Sequence, residues 1–163
     1  MRITQQQIQK IIEKAIDELY LKDASILLKE YDIHERTITH RLAMYLDSLF
    51  MDKSYNVDVE YNRMRDRYGD GDDVGNLMGK RLKWENSGEG SDYVYPDIIV
   101  HKRDSNQNLV EIEVKMAWKN RKCDLDYTKI NEYMEQLGYQ FGIYIELAEK
   151  REKCKIEFGP FDK

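Results

Sequence analysis

Hydrophobic residues in the first fifty positions recur every three or four residues, which is the period of an amphipathic helix. The N-terminal segment has one such stripe, formed by Ile8, Ile11, Ile12, Ala15, Ile16, Leu19 and Tyr20. A second stripe predicts a helix over residues 33–50 and is formed by Ile38, Leu42, Tyr45, Leu46 and Leu49. Asp32 and Glu35 have the spacing of a capping box, so Asp32 is expected to begin this second helix. We interpret residues 1–30 as an N-terminal helical extension.

From residue 56 onward the pattern changes to alternation of polar and apolar positions or to short apolar runs, as in β-strands. It predicts strands at 56–61, 93–102, 109–116, 139–147 and 154–158. The second and third strands are separated by a polar turn and are expected to form a hairpin. Between the third and fourth strands lies a predicted helix, which is capped by Asp126 and ends at Gly138. Such a helix usually joins parallel neighbours, so we predict an α/β domain with a mixed four- to five-stranded sheet and helices on both faces.

Residues 62–92 show neither the helical nor the strand periodicity, and they contain most of the glycines of the chain. Loops of this length are uncommon in compact domains unless they are functional or disordered. We therefore predict a flexible insertion, which is either a flap that contacts substrate or plain disorder. Its acids Asp70, Asp72 and Asp73 lack the terminal Glu of a calcium-binding loop and are interpreted as solvated.

The length and composition indicate one domain over residues 1–163, because 163 residues are enough to bury a proper core. Cys123 and Cys154 lack the close spacing of a structural zinc site, and two thiols suggest a reducing cytoplasm. The N-terminus is too polar for a secretory signal, and no apolar run approaches the ~20 residues of a membrane helix. With 31 acidic and 26 basic residues, the net charge of −5 argues against nonspecific coating of nucleic acid but permits a local basic groove. A cytoplasmic protein with no membrane partner is expected.

The predicted hairpin carries charged residues where a buried strand would be apolar. Because side chains alternate along a strand, Glu111, Glu113 and Lys115 share one face of the third strand. If the hairpin turn has the expected length, Asp97 lies directly across from Glu113 on that face, with the β carbons ~5 Å apart. A turn one residue longer or shorter would direct Asp97 to the opposite face, unless a bulge intervened. The hairpin register therefore decides whether the two acids meet.

Two carboxylates at this separation repel each other and are costly to desolvate, so a cation between them is favoured. Oxygen ligands favour magnesium or manganese over zinc. Lys115 would then orient or help deprotonate a water beside the ion, or hold a phosphate oxygen. The alternative is a solvent-facing strand edge with cross-strand charge pairs. Glu111, one pleat away, is interpreted as supporting or solvated. Histidines are usually surface or structural residues, and of the three in the chain His101, which lies on the face of the acids, is the one candidate for a catalytic role.

Pro96-Asp97, followed after 15 residues by Glu113-Val114-Lys115, resembles the pattern of the PD-(D/E)xK nuclease superfamily, which contains many restriction endonucleases. The pattern is loose in a chain that is 35% charged, but this is the only acid-x-Lys triplet in the sequence, and Pro96-Asp97 is its only Pro-Asp. The resemblance covers roughly residues 32–147 and extends to uncharacterised bacterial members. It implies a restriction-endonuclease-like three-layer αβα core and a magnesium-dependent endonuclease or exonuclease.

The resemblance also implies roles for individual residues. Asp97 and Glu113 would hold Mg²⁺, with Mn²⁺ as an alternative, and Val114 would add its backbone carbonyl. Lys115 would act on the attacking water. Glu35 occupies the position of a carboxylate that the family often adds from the helix before the sheet, although a carboxylate in a first helical turn is favoured by the helix dipole in any case.

The resemblance alone makes DNA a more probable substrate than RNA. Several basic residues would neutralise phosphates if they line one cleft, and are otherwise ordinary surface charges: Lys80, Arg81, Lys102, Arg103 and Lys119. The second hypothesis is a catalytically inactive nucleic-acid-binding or complex-subunit module that retains the nuclease fold. A small-molecule hydrolase is the weakest candidate, because no glycine-rich phosphate loop or nucleophile elbow is present. The sequence is compatible with a homodimer.

Overall fold

A computed structural model of the chain describes residues 3–61, 63–65, 77–79, 81–82, 92–93, 95–103, 105–119 and 124–162. The helices are α1 (Gln5–Asp23), α2 (Glu35–Phe50) and α3 (Asp124–Leu137), and 3-10 turns occur at Ala24–Leu27, Lys29–Tyr31, Met51–Lys53 and Arg151–Lys153. The strands are β1 (Asn56–Val59), β2 (Arg63–Arg65), β3 (Leu77–Gly79), β4 (Arg81–Leu82), β5 (Asp92–Tyr93), β6 (Ile98–His101), β7 (Asn108–Met116), β8 (Phe141–Leu147) and β9 (Lys155–Phe158).

Five of the strands form one mixed sheet in the order β1-β6-β7-β8-β9. Strands β7 and β8 are parallel, and the other neighbouring pairs are antiparallel. Helix α3 makes the connection between the two parallel strands, as the sequence predicted for a crossover helix. The α/β class, the five-stranded mixed sheet and the N-terminal helix are therefore confirmed.

Helices pack against both faces of this sheet. Helices α1 and α2 cover one face, where the main core contains Ile12, Leu42, Val100 and Val114. Helix α3 covers the other face through a smaller cluster that includes Ile99, Tyr133, Leu137 and Tyr139. Burial of apolar surface on both sides of the sheet is the main force that holds the three layers together. Among the described helices, none combines the length and the apolar character needed to cross a membrane.

The register between β6 and β7 agrees with the sequence prediction. Ile98 pairs with Ile112 and Val100 pairs with Val110. Continued by one residue, this register places Asp97 across from Glu113. The turn itself differs from the prediction, because a bulge makes His101 the partner of Asn108. The extra residue of the bulge, Leu109, shifts the register by one, and this shift restores the predicted pairing from Val100 onward.

Two predicted segments are corrected by the structure. The strand predicted at 93–102 is interrupted, since β6 comprises only Ile98–His101 and β5 pairs with β4 instead. Pro96 has no N–H to donate to a sheet, and its carbonyl oxygen accepts the N–H of Glu60 at 3.1 Å. Within the predicted insertion at 62–92, the described parts form two antiparallel pairs, β2 with β3 and β4 with β5. Asp70, Asp72 and Asp73 lie outside the described residues, as does Cys123.

The start of α2 also differs from the prediction. Asp32 has a left-handed backbone conformation with a φ of 39°, and His34 is the N-cap residue. The Nδ1 atom of His34 accepts the N–H of Arg36 at 3.3 Å, so the predicted capping box between Asp32 and Glu35 does not form. Glu35 is the first residue of the helix, and its carboxylate points to the sheet instead.

The ends of α3 agree only in part with the prediction. Asp126 lies in the first turn of the helix rather than at its cap, because the helix begins at Asp124. Gly138 follows the helix with a φ of 70°, the left-handed conformation predicted for it.

Candidate active site

Asp97 lies immediately before β6 and faces the middle of the Glu113-Val114-Lys115 triplet. Its Oδ2 atom accepts the backbone N–H of Val114 at 2.8 Å. This hydrogen bond fixes the carboxylate across the gap between β6 and β7. The charge of Asp97 also contributes to the raised pKa of Glu113. Asp97 therefore lies beside the Glu113-Val114-Lys115 triplet.

Glu113 and Glu111 are carboxyl groups buried beneath α3, with 1% and 0% of their surface exposed. Burial, and after it the charge of Asp97, raises the pKa of Glu113 to about 7. Burial, and after it the neighbouring Glu113, raises the pKa of Glu111 well above its usual range. Among the described residues, no N–H or hydroxyl donor reaches either oxygen of Glu111. These shifts favour the neutral form of Glu111 and place the negative charge of the pair on Glu113.

Lys115 extends between two acids that come from the two helical layers. Its Nζ atom is 3.6 Å from Oε1 of Glu35 and 3.6 Å from Oδ1 of Asp126. Burial alone would lower the pKa of Lys115, but the charges of Asp97, Asp126 and Glu35 outweigh it and raise that pKa. Lys115 is therefore a cation at neutral pH. It can donate hydrogen bonds to a water or a phosphate oxygen, whereas it has no free lone pair with which to accept a proton.

Helix α3 contributes two residues that the sequence analysis did not assign to the site. The Nζ atom of Lys129 lies 2.6 Å from Oε1 of Glu113, and it donates a hydrogen bond to the carbonyl oxygen of Tyr95 at 2.7 Å. Asp126 is the second, through its contact with Lys115. Their spacing of three residues places both on the α3 stripe that also carries Ile130 and packs on the sheet. Helical periodicity, applied to the crossover helix, would have identified them.

A cleft of about 250 Å³ opens beside these acids. Its walls are formed by His34, Glu35, Arg36, Thr39, Val59, Glu60 and Asp97. Glu35 thus lies with Asp97 on one surface and also contacts Lys115, as expected of a residue that belongs to the site. Within the described part of the chain, the Oε2 atom of Glu35 is buried without a hydrogen-bond partner.

The predicted phosphate-binding residues are dispersed. Lys102 and Arg103 follow β6 at the hairpin turn, about 15 Å along the strand from Asp97 at the usual rise per residue. The guanidinium of Arg103 binds the carboxylate of Asp58, and the ammonium of Lys102 lies 5.4 Å from the centre of the Tyr55 ring. Lys119 lies at the other end of the hairpin, 4.0 Å from Asp32. Lys80 and the side chain of Arg81 lie outside the described residues.

We refer to Glu35, Asp97, Glu111, Glu113 and Asp126 as the acid cluster. In the ranges that the structure describes, no three His, Cys, Asp or Glu side chains are arranged as a ready-made metal site. The geometry gives the reason. Lys129 contacts Glu113, and Lys115 lies between Glu35 and Asp126, the two acids that come from helices. The cluster still fits a hard divalent cation, since its donors are all oxygen. Three of its members, Glu35, Glu111 and Glu113, have buried oxygens without a hydrogen bond from the described residues, although the Glu113 oxygen is paired with the ammonium of Lys129.

The fold and the site define an α/β protein with buried carboxyl groups and two lysines on one face of its sheet. No protein-family model matches the chain, and no curated protein matches it. Among solved structures, the chain is similar to the crystal structure of SSO0001, with 14% sequence identity over 95% of this chain and 78% of that chain and a TM-score of 0.34. Similarity at this level carries no argument, so the functional interpretation depends on the residues themselves.

Proposed function

We propose that the protein is a metal-dependent nuclease that hydrolyses phosphodiester bonds, with DNA as its substrate and Mg²⁺ or Mn²⁺ as its cofactor. One observation carries the proposal. Asp97 binds the N–H of Val114 while its charge acts on both Glu113 and Lys115, so the separated parts of the Pro-Asp and acid-x-Lys pattern lie side by side. The restriction-endonuclease-like core that the sequence pattern resembles is part of this proposal.

The acids would hold the cation and the lysine would position the reacting oxygen. Asp97, Glu113 and the carbonyl of Val114 are the proposed ligands, and Glu35 lies on the cleft wall where it can bind the same ion or a water. A divalent cation held by these residues would supply positive charge to offset the charge developing on the phosphate oxygens and would make a water more acidic. Lys115 donates a hydrogen bond to the attacking water or to a phosphate oxygen, which favours in-line attack.

Glu111 has a supporting role in this scheme. Its side chain is fully buried and its pKa is raised by burial, which favours the neutral form, so it faces Glu113 without adding a second negative charge. A neutral carboxyl group at that position keeps water from the inner side of Glu113 and leaves the outer side for the ion. Glu111 is thus a positioning residue.

A catalytically inactive nucleic-acid-binding or complex-subunit module is the second candidate, and one contact favours it. Lys129 already neutralises Glu113 at 2.6 Å. In a module without turnover this ion pair would be permanent and no metal would enter. The two candidates differ in whether a divalent cation is bound and whether phosphodiester bonds are broken.

The test is a cleavage assay with plasmid, linear duplex, single-stranded DNA and RNA, each incubated with Mg²⁺, Mn²⁺ or EDTA. We expect cleavage of DNA that requires the metal and is lost in Asp97→Asn and Lys115→Met. The matched control is Lys22→Met, which removes an ammonium that pairs with Glu18 on α1, on the other face of the sheet. Circular dichroism would verify that the variants are folded. Binding of nucleic acid without cleavage by the wild-type protein would overturn the nuclease proposal in favour of the module.

A further inference from the structure

We propose that Lys129 is a tethered counter-ion of the acid cluster, which neutralises Glu113 in the ion-free protein and is displaced when a divalent cation binds. This inference rests on the proposed function, because it concerns ion binding by the same carboxylates. According to this inference, α3 lowers the metal affinity of the site through the side chain of Lys129. Lys129 is here a positioning residue and not a catalytic one.

The contact between Lys129 and Glu113 is closer than the other lysine contacts of the acid cluster. The ammonium lies 2.6 Å from Glu113, and the two side chains are 19% and 2% exposed. Lys115 lies 3.6 Å from each of its partners. Lys129 is therefore ion-paired with Glu113, the same carboxylate that is proposed to bind the divalent cation. An ammonium and a divalent cation at one poorly solvated carboxylate repel each other strongly, so both cannot be bound there without a large penalty.

The structure also provides a second partner for the displaced ammonium. Lys129 donates to the carbonyl oxygen of Tyr95 at 2.7 Å, and Tyr95 lies two residues before Asp97. The lysine stem is flexible, so the ammonium can leave Glu113 and keep the Tyr95 carbonyl. Ile130 and Tyr133, both fully buried, hold α3 against the sheet. Displacement therefore requires movement of one side chain and not of the helix.

The charge balance of the cluster explains why such a counter-ion is useful. Without Lys129, the acids of the cluster would face Lys115 alone. Buried carboxylates that lack a cation are costly, so an ion-free protein without Lys129 would lose stability. The same loss would make the cluster a stronger ligand for a divalent cation, because no resident cation would have to leave. Stability of the ion-free protein and affinity for the ion are thus expected to change in opposite directions.

The test uses Lys129→Met, which keeps the length of the side chain and removes its charge, with Lys22→Met as the matched control. Mn²⁺ affinity is measured by calorimetry, and the melting temperature is measured in EDTA and in Mn²⁺. We expect Lys129→Met to bind Mn²⁺ about tenfold more tightly than the wild type, within the usual range for coupled sites. It should melt at a lower temperature in EDTA and recover in Mn²⁺, whereas Lys22→Met should keep the wild-type affinity. A folded Lys129→Met protein with unchanged or weaker Mn²⁺ affinity would overturn the inference.

A measurement on the wild-type protein covers the case in which Lys129→Met does not fold. Amine-selective labelling followed by mass spectrometry reports the accessibility of each lysine. We expect labelling of Lys129 to become faster at saturating Mg²⁺, while labelling of Lys22 stays constant. An unchanged rate for Lys129 in protein that has bound Mg²⁺ would contradict displacement.

The outcomes also separate this inference from the proposed function. If neither the wild type nor Lys129→Met takes up Mn²⁺, the acid cluster is not a metal centre and both proposals fail. If the wild type takes up Mn²⁺, Asp97→Asn does not, and changes at Lys129 have no effect on affinity, only the counter-ion proposal fails.

Discussion

Two polar clusters lie on the α3 side of the sheet and have opposite charge balances. In the first, which we call the Asp58 cluster, one carboxylate faces His101 and Arg103. Oδ2 of Asp58 lies 2.8 Å from Nε2 of His101 and accepts the Nε–H of Arg103 at 2.9 Å. The ring of Tyr61 packs 5.0 Å from that of His101. In the acid cluster, five carboxyl groups face two ammonium groups, and some buried oxygens have no hydrogen-bond partner among the described residues.

The pKa values show what this difference means. Burial alone would raise the pKa of Asp58, but its hydrogen bonds with His101 and Arg103 outweigh burial and lower it. Burial and the charge of Asp97 raise the pKa of Glu113. A buried charged group that has all its hydrogen-bond and ion-pair partners stabilises the fold. Charged groups that are held close together without enough such partners are typical of functional sites. This difference fits a structural role for the Asp58 cluster and supports the acid cluster as the site of the proposed function.

The largest expected effect is on cleavage by Lys115→Met. Loss of the hydrogen bond to the reacting oxygen should lower the cleavage rate by about 10³-fold, as for other positioned donors in active sites. The rate is measured at saturating Mg²⁺, so that altered ion affinity does not contribute. Asp58→Asn should cleave at nearly the wild-type rate. Equal losses in the two variants would show that the clusters do not differ in function.

The next largest effect is on stability, through Asp58→Asn. His101 and Arg103 would lose the negative charge and one of the two acceptor oxygens of Asp58, and we expect the free energy of unfolding to fall by about 2 kcal/mol. The figure is modest because the Arg103 side chain is 53% exposed. Chemical denaturation gives the free energy, and calorimetry should give an unchanged Mn²⁺ affinity. A clear loss of Mn²⁺ binding would contradict the separation of the two clusters.

Gly142→Ala should disturb the acid cluster from the sheet side. A β carbon at Gly142 would clash with Cγ2 of Ile130 and would lie 2.9 Å from Sδ of Met134. Helix α3 would be pushed outward together with Lys129, and overpacking of this kind costs about 1–3 kcal/mol. Denaturation measures the loss, and Mn²⁺ affinity should change with it. A variant of wild-type stability would show that α3 is not seated as closely as described.

An effect of similar size to the two preceding ones is expected in the pH dependence of stability in EDTA. Glu111 and Glu113 have raised pKa values in the folded state, so the folded protein keeps protons that the unfolded chain releases. The stabilising contribution of each acid is complete below its pKa in the unfolded chain and is lost as pH rises through its pKa in the folded protein, which is about 7 for Glu113 and is well above the usual range for Glu111. We expect the free energy of unfolding to fall by an amount on the order of 2 kcal/mol between pH 5 and pH 8.

Substitutions in the two clusters should separate this effect from that of Asp58. Glu111→Gln should reduce the fall, while Asp58→Asn should leave it unchanged. The lowered pKa of Asp58 affects stability only in more acidic solution, where its carboxylate becomes protonated. A wild-type protein that gains stability from pH 5 to pH 8 would contradict the assignment of raised pKa values to the acid cluster.

Much of the fold follows from local patterns in the sequence. The predicted pairing of the two hairpin strands placed Asp97 across from Glu113, although a bulge and not the expected turn produces that register. The crossover helix predicted that β7 and β8 are parallel. The left-handed conformation of Gly138 was also expected, because glycine is favoured at the end of a helix. These features depend on periodicity and turn chemistry, which neighbouring residues determine.

Other features depend on contacts between distant parts of the chain and could not be predicted in this way. The burial of Glu111 results from α3 covering β7, and Lys129 reaches Glu113 only when the crossover is folded. The cap at His34 replaced the expected one at Asp32, since the backbone enters α2 through a left-handed residue. The strand predicted at 93–102 is interrupted at Pro96. The pairing of β2 with β3 could not be predicted, because these short strands show no clear periodicity in the sequence.

The central claim is that the acid cluster binds a divalent cation beside Lys115. A titration of the protein with Mn²⁺, in which electron paramagnetic resonance counts the free ion, tests it most directly. We predict saturable uptake of Mn²⁺ by the wild-type protein, competition by Mg²⁺, and loss of uptake in Asp97→Asn but not in Asp58→Asn. Free Mn²⁺ that equals the added Mn²⁺ throughout the wild-type titration, or uptake that persists in Asp97→Asn, would contradict the claim.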